Sequence, residues 1–143
     1  MAAPESPRPA RPTIVMSRLD YDRIEALIES ANERGVDTSA LEAEITRAEV
    51  VEPAQMPGDV ISMNSTARFL DENSGEEREL TLVYPRDATG EAGRVSILAP
   101  VGSALLGLRV GQSIDWPMSG NRTINLRELS IKYQPEAAGE LHR

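Results

Sequence analysis

The 143-residue chain contains no cysteine, which excludes disulfides, thiolate zinc sites and a cysteine nucleophile and is compatible with a reducing cytosol. Its single histidine, His142, lies beside the C-terminus, so neither a Ser-His-Asp triad nor a histidine-based metal cage can be built. No apolar run approaches the roughly 20 residues that a membrane helix requires. We therefore expect a soluble, cytoplasmic protein without membrane contact.

Basic residues are in the minority, because 15 Lys and Arg oppose 23 Asp and Glu, for a net charge of −8. Binding to bare nucleic acid needs clustered cations, so we expect no direct sequence-specific contact with DNA or RNA. Much of the excess negative charge lies in residues 17–52, which hold ten acids and four arginines. An acidic face of this kind is either simply solvated or complementary to a basic partner. Its residues are Asp22, Glu25, Glu29, Glu42, Glu44 and Glu49.

The acidic segment has the periodicity of two helices. Ser17 with Asp20 forms a capping-box pattern, and an apolar stripe at i, i+3, i+4, i+7 follows. Gly35 interrupts the pattern. A second helix starts at one of residues 37–39, where Ser39 with Glu42 forms another capping box, and Pro53 ends it. The short connection predicts an antiparallel helical hairpin over residues 13–52, after a disordered proline-rich tail over residues 1–12. The stripes are Ile24, Leu27, Ile28 and Ala31, then Leu41, Ile45 and Ala48.

After Pro57-Gly58 the apolar period changes from 3.6 to 2. Strand-like segments cover residues 59–63, 66–70, 79–84, 94–98, 113–116 and 123–133, and a short apolar helix covers 102–108. Along the last strand, Ile124 and Leu126 alternate with polar residues, and Leu129 and Ile131 continue one position out of phase. This slip near Arg127 indicates a β-bulge. Residues 53–143 therefore form a mainly antiparallel sheet with one short helix, and the fold class is α+β.

Two sets of motifs resemble known families. The segment Val95–Gly111 (VSILAPVGSALLGLRVG) resembles the C-terminal domain of the Gre transcript-cleavage factors, in which a strand runs through a proline into a small apolar helix. Further segments resemble the Rnk family of regulators of nucleoside diphosphate kinase, in the order RPTI, DVISMNS, LVYP, APVG and YQPEAAG. This resemblance implies an FKBP-like C-terminal domain preceded by a short coiled-coil hairpin over residues 13–52. It also implies binding to RNA polymerase near its secondary channel in competition with Gre factors, and an effect on nucleoside diphosphate kinase levels.

The same resemblance implies where the chain would dock. Gre factors hold the polymerase through the loop at the strand-to-helix junction, and Ala99, Pro100, Val101 and Gly102 occupy that place here. Leu98 stands where Gre factors tend to carry an acid, which is a departure from their pattern.

The hairpin tip carries Glu33, Gly35 and Asp37. Gre hairpins are longer and carry an Asp-x-x-Glu pair that helps to hold a catalytic magnesium, since hard Mg²⁺ prefers carboxylate oxygens. No Asp-x-x-Glu pair occurs at this tip, and Asp37 is typical of a helix cap. We therefore expect no metal, no cofactor and no catalytic residue, but a monomeric protein that occludes the channel without stimulating cleavage.

Two alternatives remain open. The chain could bind another protein directly, such as nucleoside diphosphate kinase. An FKBP-like fold could also support a peptidyl-prolyl isomerase, which needs several aromatic rings around one pocket; the available rings are Tyr21, Phe69, Tyr84, Trp116 and Tyr133. Fold alone does not carry that function. A nucleotide-binding kinase is not supported, because Gly102-x-x-x-x-Gly107 lacks the Lys-Ser/Thr pair of a phosphate loop.

Overall fold

The computed structural model describes residues 14–90, 93–118 and 122–140. The predicted tail over residues 1–12 and His142 lie outside them. In chain order the elements are β1 (Val15–Ser17), α1 (Arg18–Glu33), α2 (Ser39–Thr46), β2 (Glu49–Val51), β3 (Thr66–Asp71), β4 (Glu77–Val83), β5 (Arg94–Ser96), α3 (Pro100–Leu105), β6 (Ser113–Met118) and β7 (Arg122–Tyr133). Short 3-10 turns lie at Pro53–Gln55 and Pro85–Asp87. None of the helices in these ranges is long and apolar enough to cross a membrane.

The two predicted helices are present. Ser17 caps α1 as predicted, since its side chain accepts from the backbone N–H of Asp20 at 3.1 Å. Thr38 is the N-cap residue of α2, so Ser39 is the first helical residue and the predicted capping box of Ser39 with Glu42 is wrong. The helix ends at Thr46, well before Pro53, because the chain extends into β2.

A two-stranded parallel sheet closes the base of the hairpin. Val15 of β1 pairs with Glu49 of β2, and Ser17 pairs with Val51. Each strand has only three residues, too few to show an alternating pattern, so the sequence did not predict them. The pairing fixes the start of α1 beside the end of α2.

The main sheet has the order β5-β4-β3-β7-β6. Its β3–β4, β3–β7 and β6–β7 pairs are antiparallel, as predicted, whereas β4–β5 is parallel. The predicted strand over residues 59–63 is wrong. That segment is instead held by the loop after α3, where Ile61 N–H donates to the carbonyl of Leu108 at 2.9 Å and Gly107 N–H donates to that of Ile61.

The predicted bulge exists in β7, but it lies beyond Arg127. Arg68 pairs with Ser130 and Phe69 pairs with Glu128, so Leu129 is the extra residue. The shift places Glu128 inside at 1 % exposure and leaves Leu129 outside at 37 %. The expectation that Leu129 faces the core is therefore wrong, because the alternation continues inward through Glu128 and the bulge comes later in the strand than the apolar pattern indicates.

A single apolar cluster joins the helices to the sheet. It includes Ile24 and Ile28 of α1, Leu41 and Ile45 of α2, and fully buried sheet residues such as Phe69. Complete burial of one such side chain contributes about 1.5–3 kcal/mol. The helical region is thus packed on the rest of the chain, which holds the possible contact surfaces in fixed positions.

Candidate docking surfaces

The segment that leads into α3 is fixed by its own backbone. Ser96 O accepts from Ala99 N–H at 3.0 Å, Ser96 Oγ accepts from Leu98 N–H, and Ala99 O accepts from Gly102 N–H at 2.9 Å. Pro100 occupies the first helical turn, where its missing N–H needs no partner; its side chain lies outside the described part. The sequence thus defines a tight strand-to-helix corner.

Gly102 is buried at this corner. A Cβ atom there would lie 2.0 Å from the carbonyl oxygen of Ser96, so only glycine allows the two backbones to meet. Gly102 therefore shapes the corner and presents no side chain to a partner. Ala99 and Val101 are half-buried against the core, and their outer surfaces remain accessible.

The hairpin tip is exposed throughout residues 32–37. Gly35 adopts a φ of 80°, and Val36 N–H donates to the carbonyl of Ala31 at 2.9 Å, which ends α1 in a left-handed turn. Asp37 Oδ1 accepts from the hydroxyl of Ser39 and from Ser39 N–H, and these bonds lower the pKa of Asp37. This carboxylate therefore stabilises the turn that precedes α2.

The described residues include no group of three or more His, Asp or Glu side chains placed to hold a metal ion. Glu33 and Asp37 lie on opposite sides of the glycine turn, and Asp37 is already engaged by Ser39. Because Mg²⁺ is commonly bound through one or two carboxylates, this tip would offer such an ion only Glu33 and a carboxylate that Ser39 already engages.

The acidic face divides into two groups. Glu44 is 6 % exposed, and its Oε1 accepts from Arg47 Nη2 at 2.6 Å, so it does not belong to a solvated face as the sequence suggested. Asp22, Glu25, Glu29 and Glu42 line a groove of about 710 Å³ between α1 and α2. These four acids, and not the whole acidic set, form a continuous surface.

A buried polar cluster joins α1 to the segments that flank the sheet, and no local sequence pattern indicates it. Asp20 is 2 % exposed, and its Oδ2 accepts from Met63 N–H at 3.1 Å. Burial raises the pKa of Asp20 to about 7. The hydrogen bond from Met63 N–H acts in the opposite direction, and the neighbouring carboxylate of Glu136 adds to the increase. Glu136 is itself held by Ser62 Oγ at 2.7 Å. Asp20 thus ties α1 to the segment before β3, and Glu136 lies close enough to repel its charge.

Glu128 is a second buried acid. Neither carboxylate oxygen has a hydrogen-bond partner among the described residues. Burial raises the pKa of Glu128 to about 8, and the nearby charge of Asp59 adds to the shift. The side chain is therefore neutral at pH 7, since the charged form would be unpaired in an apolar setting.

A second cleft, of about 560 Å³, lies between α2, the loop after α3 and β6, and the described residues that line it include no aromatic side chain. Among the described residues, Tyr21 is the only ring in the groove between α1 and α2. Phe69 and Tyr84 are buried in the core. Neither cavity therefore has the several rings that a prolyl isomerase pocket would need, and nothing in their linings supports that alternative.

Comparison with known proteins places two family models on the chain, one after the other. Residues 12–51 match the Rnk N-terminus, and residues 56–133 match the C-terminal region of the transcription elongation factors GreA/GreB. A regulator of nucleoside diphosphate kinase from Escherichia coli K12 is 46% identical over 132 residues, which is 92% of this chain and 97% of that protein. A transcription elongation factor GreA from Azorhizobium caulinodans is 36% identical over 88 residues, 62% of this chain and 55% of that factor.

Among solved structures, a GreA/GreB transcription elongation factor from Nitrosomonas europaea is 47% identical and superposes with a TM-score of 0.77. The match covers 85% of this chain and 100% of that one. The fold described above is therefore of the GreA/GreB type, with a helical N-terminal region before a mixed sheet.

Proposed function

The chain belongs to the Rnk family, and from that membership we propose that it is a non-enzymatic transcription regulator that binds RNA polymerase near the secondary channel. The observation that carries this proposal is the match of residues 56–133 to the C-terminal region of GreA/GreB. In Gre factors that region carries the polymerase-binding loop, as the resemblance implies. The chain would compete with Gre factors for the same position.

The corner before α3 supports this assignment. Its backbone bonds hold Ala99 and Val101 at the surface, while Gly102 keeps the corner tight. Ala99, Pro100 and Val101 would contact the polymerase, and Gly102 would position them. A rigid corner favours binding, because less conformational freedom is lost on association.

The hairpin tip supports an occluding role. Asp37 is engaged by Ser39 in its own turn, and no Asp-x-x-Glu pair stands at the tip. A protein that reaches the channel with Glu33, Gly35 and Asp37 at its tip would exclude Gre factors without delivering a magnesium site. We propose that the protein acts as a cytoplasmic monomer, and that its effect on nucleoside diphosphate kinase levels follows from altered transcription.

Stalled polymerase complexes test the proposal. The purified chain is titrated against a Gre factor, and transcript cleavage is scored. We expect Gre-stimulated cleavage to fall as the chain is added, and the chain alone to stimulate none. Cleavage stimulated by the chain itself would show that the tip does deliver metal ligands, and no effect at any concentration would exclude the polymerase proposal.

A pair of valine variants localises the contact. Val101→Asp places a charge at the proposed docking corner, whereas Val110→Asp places the same charge at an exposed valine in another loop. We expect Val101→Asp to relieve the inhibition and Val110→Asp to leave it unchanged, with melting curves to show that both variants fold. Equal behaviour of the two variants would place the contact elsewhere.

A second candidate is direct binding to nucleoside diphosphate kinase, which the name of the Escherichia coli relative favours. Titration of the purified kinase with the labelled chain distinguishes the two. Tight binding that survives Val101→Asp would support a kinase complex, because the docking corner would then not be required.

A further inference from the structure

Two motifs of the sequence contact each other in the structure, and neither includes the tip or the corner before α3. The first, DVISMNS, covers residues 59–65 ahead of β3, and the second, YQPEAAG, covers residues 133–139 at the end of β7 and beyond. Gln134 of the second motif is 3 % exposed. Its Nε2 donates to the carbonyls of Pro57 and Val60, at 2.8 and 2.7 Å, so it holds the start of the 59–65 segment.

Serine hydroxyl groups hold the middle of the 59–65 segment. Ser62 Oγ donates to Glu136 Oε1 at 2.7 Å and lies 2.9 Å from Ser65 Oγ. Ser65 Oγ also accepts from Ser62 N–H at 3.0 Å. Both serines are buried, and a buried hydroxyl without a partner is unfavourable, so these bonds select one conformation of the segment.

The 59–65 segment is bonded to α1 on one side and to the main sheet on the other. Asp20 Oδ2 of α1 accepts from Met63 N–H at 3.1 Å. The N–H of the next residue, Asn64, donates to the carbonyl of Leu82 in β4 at 2.6 Å. Asn64 has a φ of 68°, a left-handed conformation that asparagine tolerates better than most residues. Successive N–H groups therefore reach the hairpin and the sheet.

The sheet side of this connection leads to the corner before α3. Val83, which follows Leu82 in β4, accepts through its carbonyl from Ile97 N–H at 2.9 Å. Ile97 follows Ser96, whose carbonyl and hydroxyl groups form the bonds of the corner. A short series of hydrogen bonds therefore runs from α1 through the 59–65 segment and β4 to the corner.

Apolar packing also joins the hairpin to the sheet, but packing alone does not specify an angle. Hydrophobic contacts are non-directional, whereas a hydrogen bond weakens steeply away from its preferred geometry. The bond between Asp20 and Met63 is buried, so its loss would leave a buried N–H unsatisfied. The polar connection is therefore suited to fix the direction of the hairpin.

We propose that Asp20, Ser62 and Glu136 are positioning residues, which hold the hairpin at one angle to the corner before α3 through the 59–65 segment. The inference rests on the proposed function and deepens it, because a chain bound through the corner occludes the channel only if its tip points into that channel. The three residues act through this geometry and need not touch the polymerase.

Distances between two spin labels test the angle directly, since the chain has no cysteine of its own. Arg34→Cys places one label at the exposed tip, and Ser130→Cys places the other at an exposed position of β7. Pulsed electron paramagnetic resonance gives the distribution of distances between the two labels in the full chain. Melting curves show that each variant folds.

Four substitutions are compared in this labelled chain. We expect Asp20→Ala to shift or broaden the distribution by more than about 2 Å, the size of a helix shift at a packed interface. Asp20→Asn keeps an acceptor for Met63 N–H and should retain the original distribution, as should Asp22→Ala on the exposed side of α1. Ser62→Ala should also broaden it, and it remains a test if Asp20→Ala does not fold. Unchanged distributions in the folded variants Asp20→Ala and Ser62→Ala would overturn the inference, because apolar packing alone would then fix the angle.

Core RNA polymerase separates this inference from the proposed function. A benzophenone on the tip cysteine cross-links to the polymerase surface beside it, and affinity is measured for the same complexes. We expect Asp20→Ala to bind within about twofold of the unaltered affinity, since the corner is intact, but to lose at least about threefold in cross-link yield. Asp20→Asn should restore the yield.

An undiminished yield with Asp20→Ala would overturn the positioning role and leave the proposed function standing. Failure of the unaltered chain to bind the polymerase would overturn the proposed function and this inference with it.

Discussion

Replacement of Asp20 by asparagine should remove a pH dependence from the stability of the protein. The carboxyl group of Asp20 is buried beside Met63, and burial raises its pKa from 3.8 to about 7. Tyr84 and Arg23 also face the group and favour the ionised form, whereas the carboxylate of Glu136 opposes it. In the unfolded chain none of these influences acts.

The sign of the effect follows from the proton balance. Between about pH 4 and pH 7 the folded state retains a proton on Asp20 that the unfolded state has released, so stability falls as the pH rises. Asp20 contributes its full stabilisation at pH values below 3.8, its pKa in the unfolded chain. This stabilisation is lost as the pH reaches about 7, the pKa of Asp20 in the folded protein. Three pH units at about 1.4 kcal/mol each give a loss of at most about 4 kcal/mol.

Asparagine keeps an oxygen that can accept from Met63 N–H, and it carries no charge. The free energy of unfolding of Asp20→Asn should therefore match that of the unaltered protein at pH 4 and exceed it at pH 8 by about 2–4 kcal/mol. Urea unfolding followed by circular dichroism from pH 4 to pH 8 measures this difference. Asp22→Asn, on the exposed side of the same helix, is the control and should show no such divergence. Parallel curves for Asp20→Asn and the unaltered protein would refute the reasoning.

Three further substitutions follow from the packing. Gly102→Ala should lower stability by about 1–3 kcal/mol, since its Cβ would meet backbone, whereas Gly58→Ala, which faces open space, should be almost neutral in the same melting experiment. Glu128→Gln should leave stability unchanged at pH 4 and raise it at pH 9 in chemical unfolding, because the pKa near 8 makes the buried acid unfavourable as it ionises. Ser17→Ala should reduce stability by about 1 kcal/mol through loss of the α1 cap, and an unchanged unfolding midpoint would contradict that role.

Local sequence patterns were sufficient for the helices and most of the sheet. The stripe with Ile24 and Ile28 marked the buried face of α1, and Ser17 marked its start. These features depend on neighbours within one or two turns, so they are visible in the sequence. The fold class followed from the same local patterns, and the family followed from several motifs that occur along the chain in the family's order.

Long-range contacts were not visible in the sequence. The sequence pattern predicted that Asp20 belongs to a capping box, but its carboxylate accepts a hydrogen bond from Met63, which is distant in sequence. The apolar pattern predicted that Leu129 is a core residue. Pairing with β3 places the bulge at Leu129 and turns Glu128 inward. Both errors arise because tertiary pairing, not local periodicity, decides which side chain is buried.

The candidate surfaces were predicted only in part. The sequence identified the corner residues and the acidic segment, but it could not show that Gly102 is buried against Ser96. It also grouped Glu44 with the exposed acids, although Arg47 pairs with it inside the structure. The groove depends on how α1 lies against α2, which a single sequence does not specify.

The most direct test of the central claim is displacement of a fluorescently labelled Gre factor from core RNA polymerase by the unlabelled chain. We predict that anisotropy falls to the value of the free Gre factor, with one chain bound per polymerase. A complex that contains both proteins at once, or no displacement at saturating concentration, would contradict the proposal that they share a docking position.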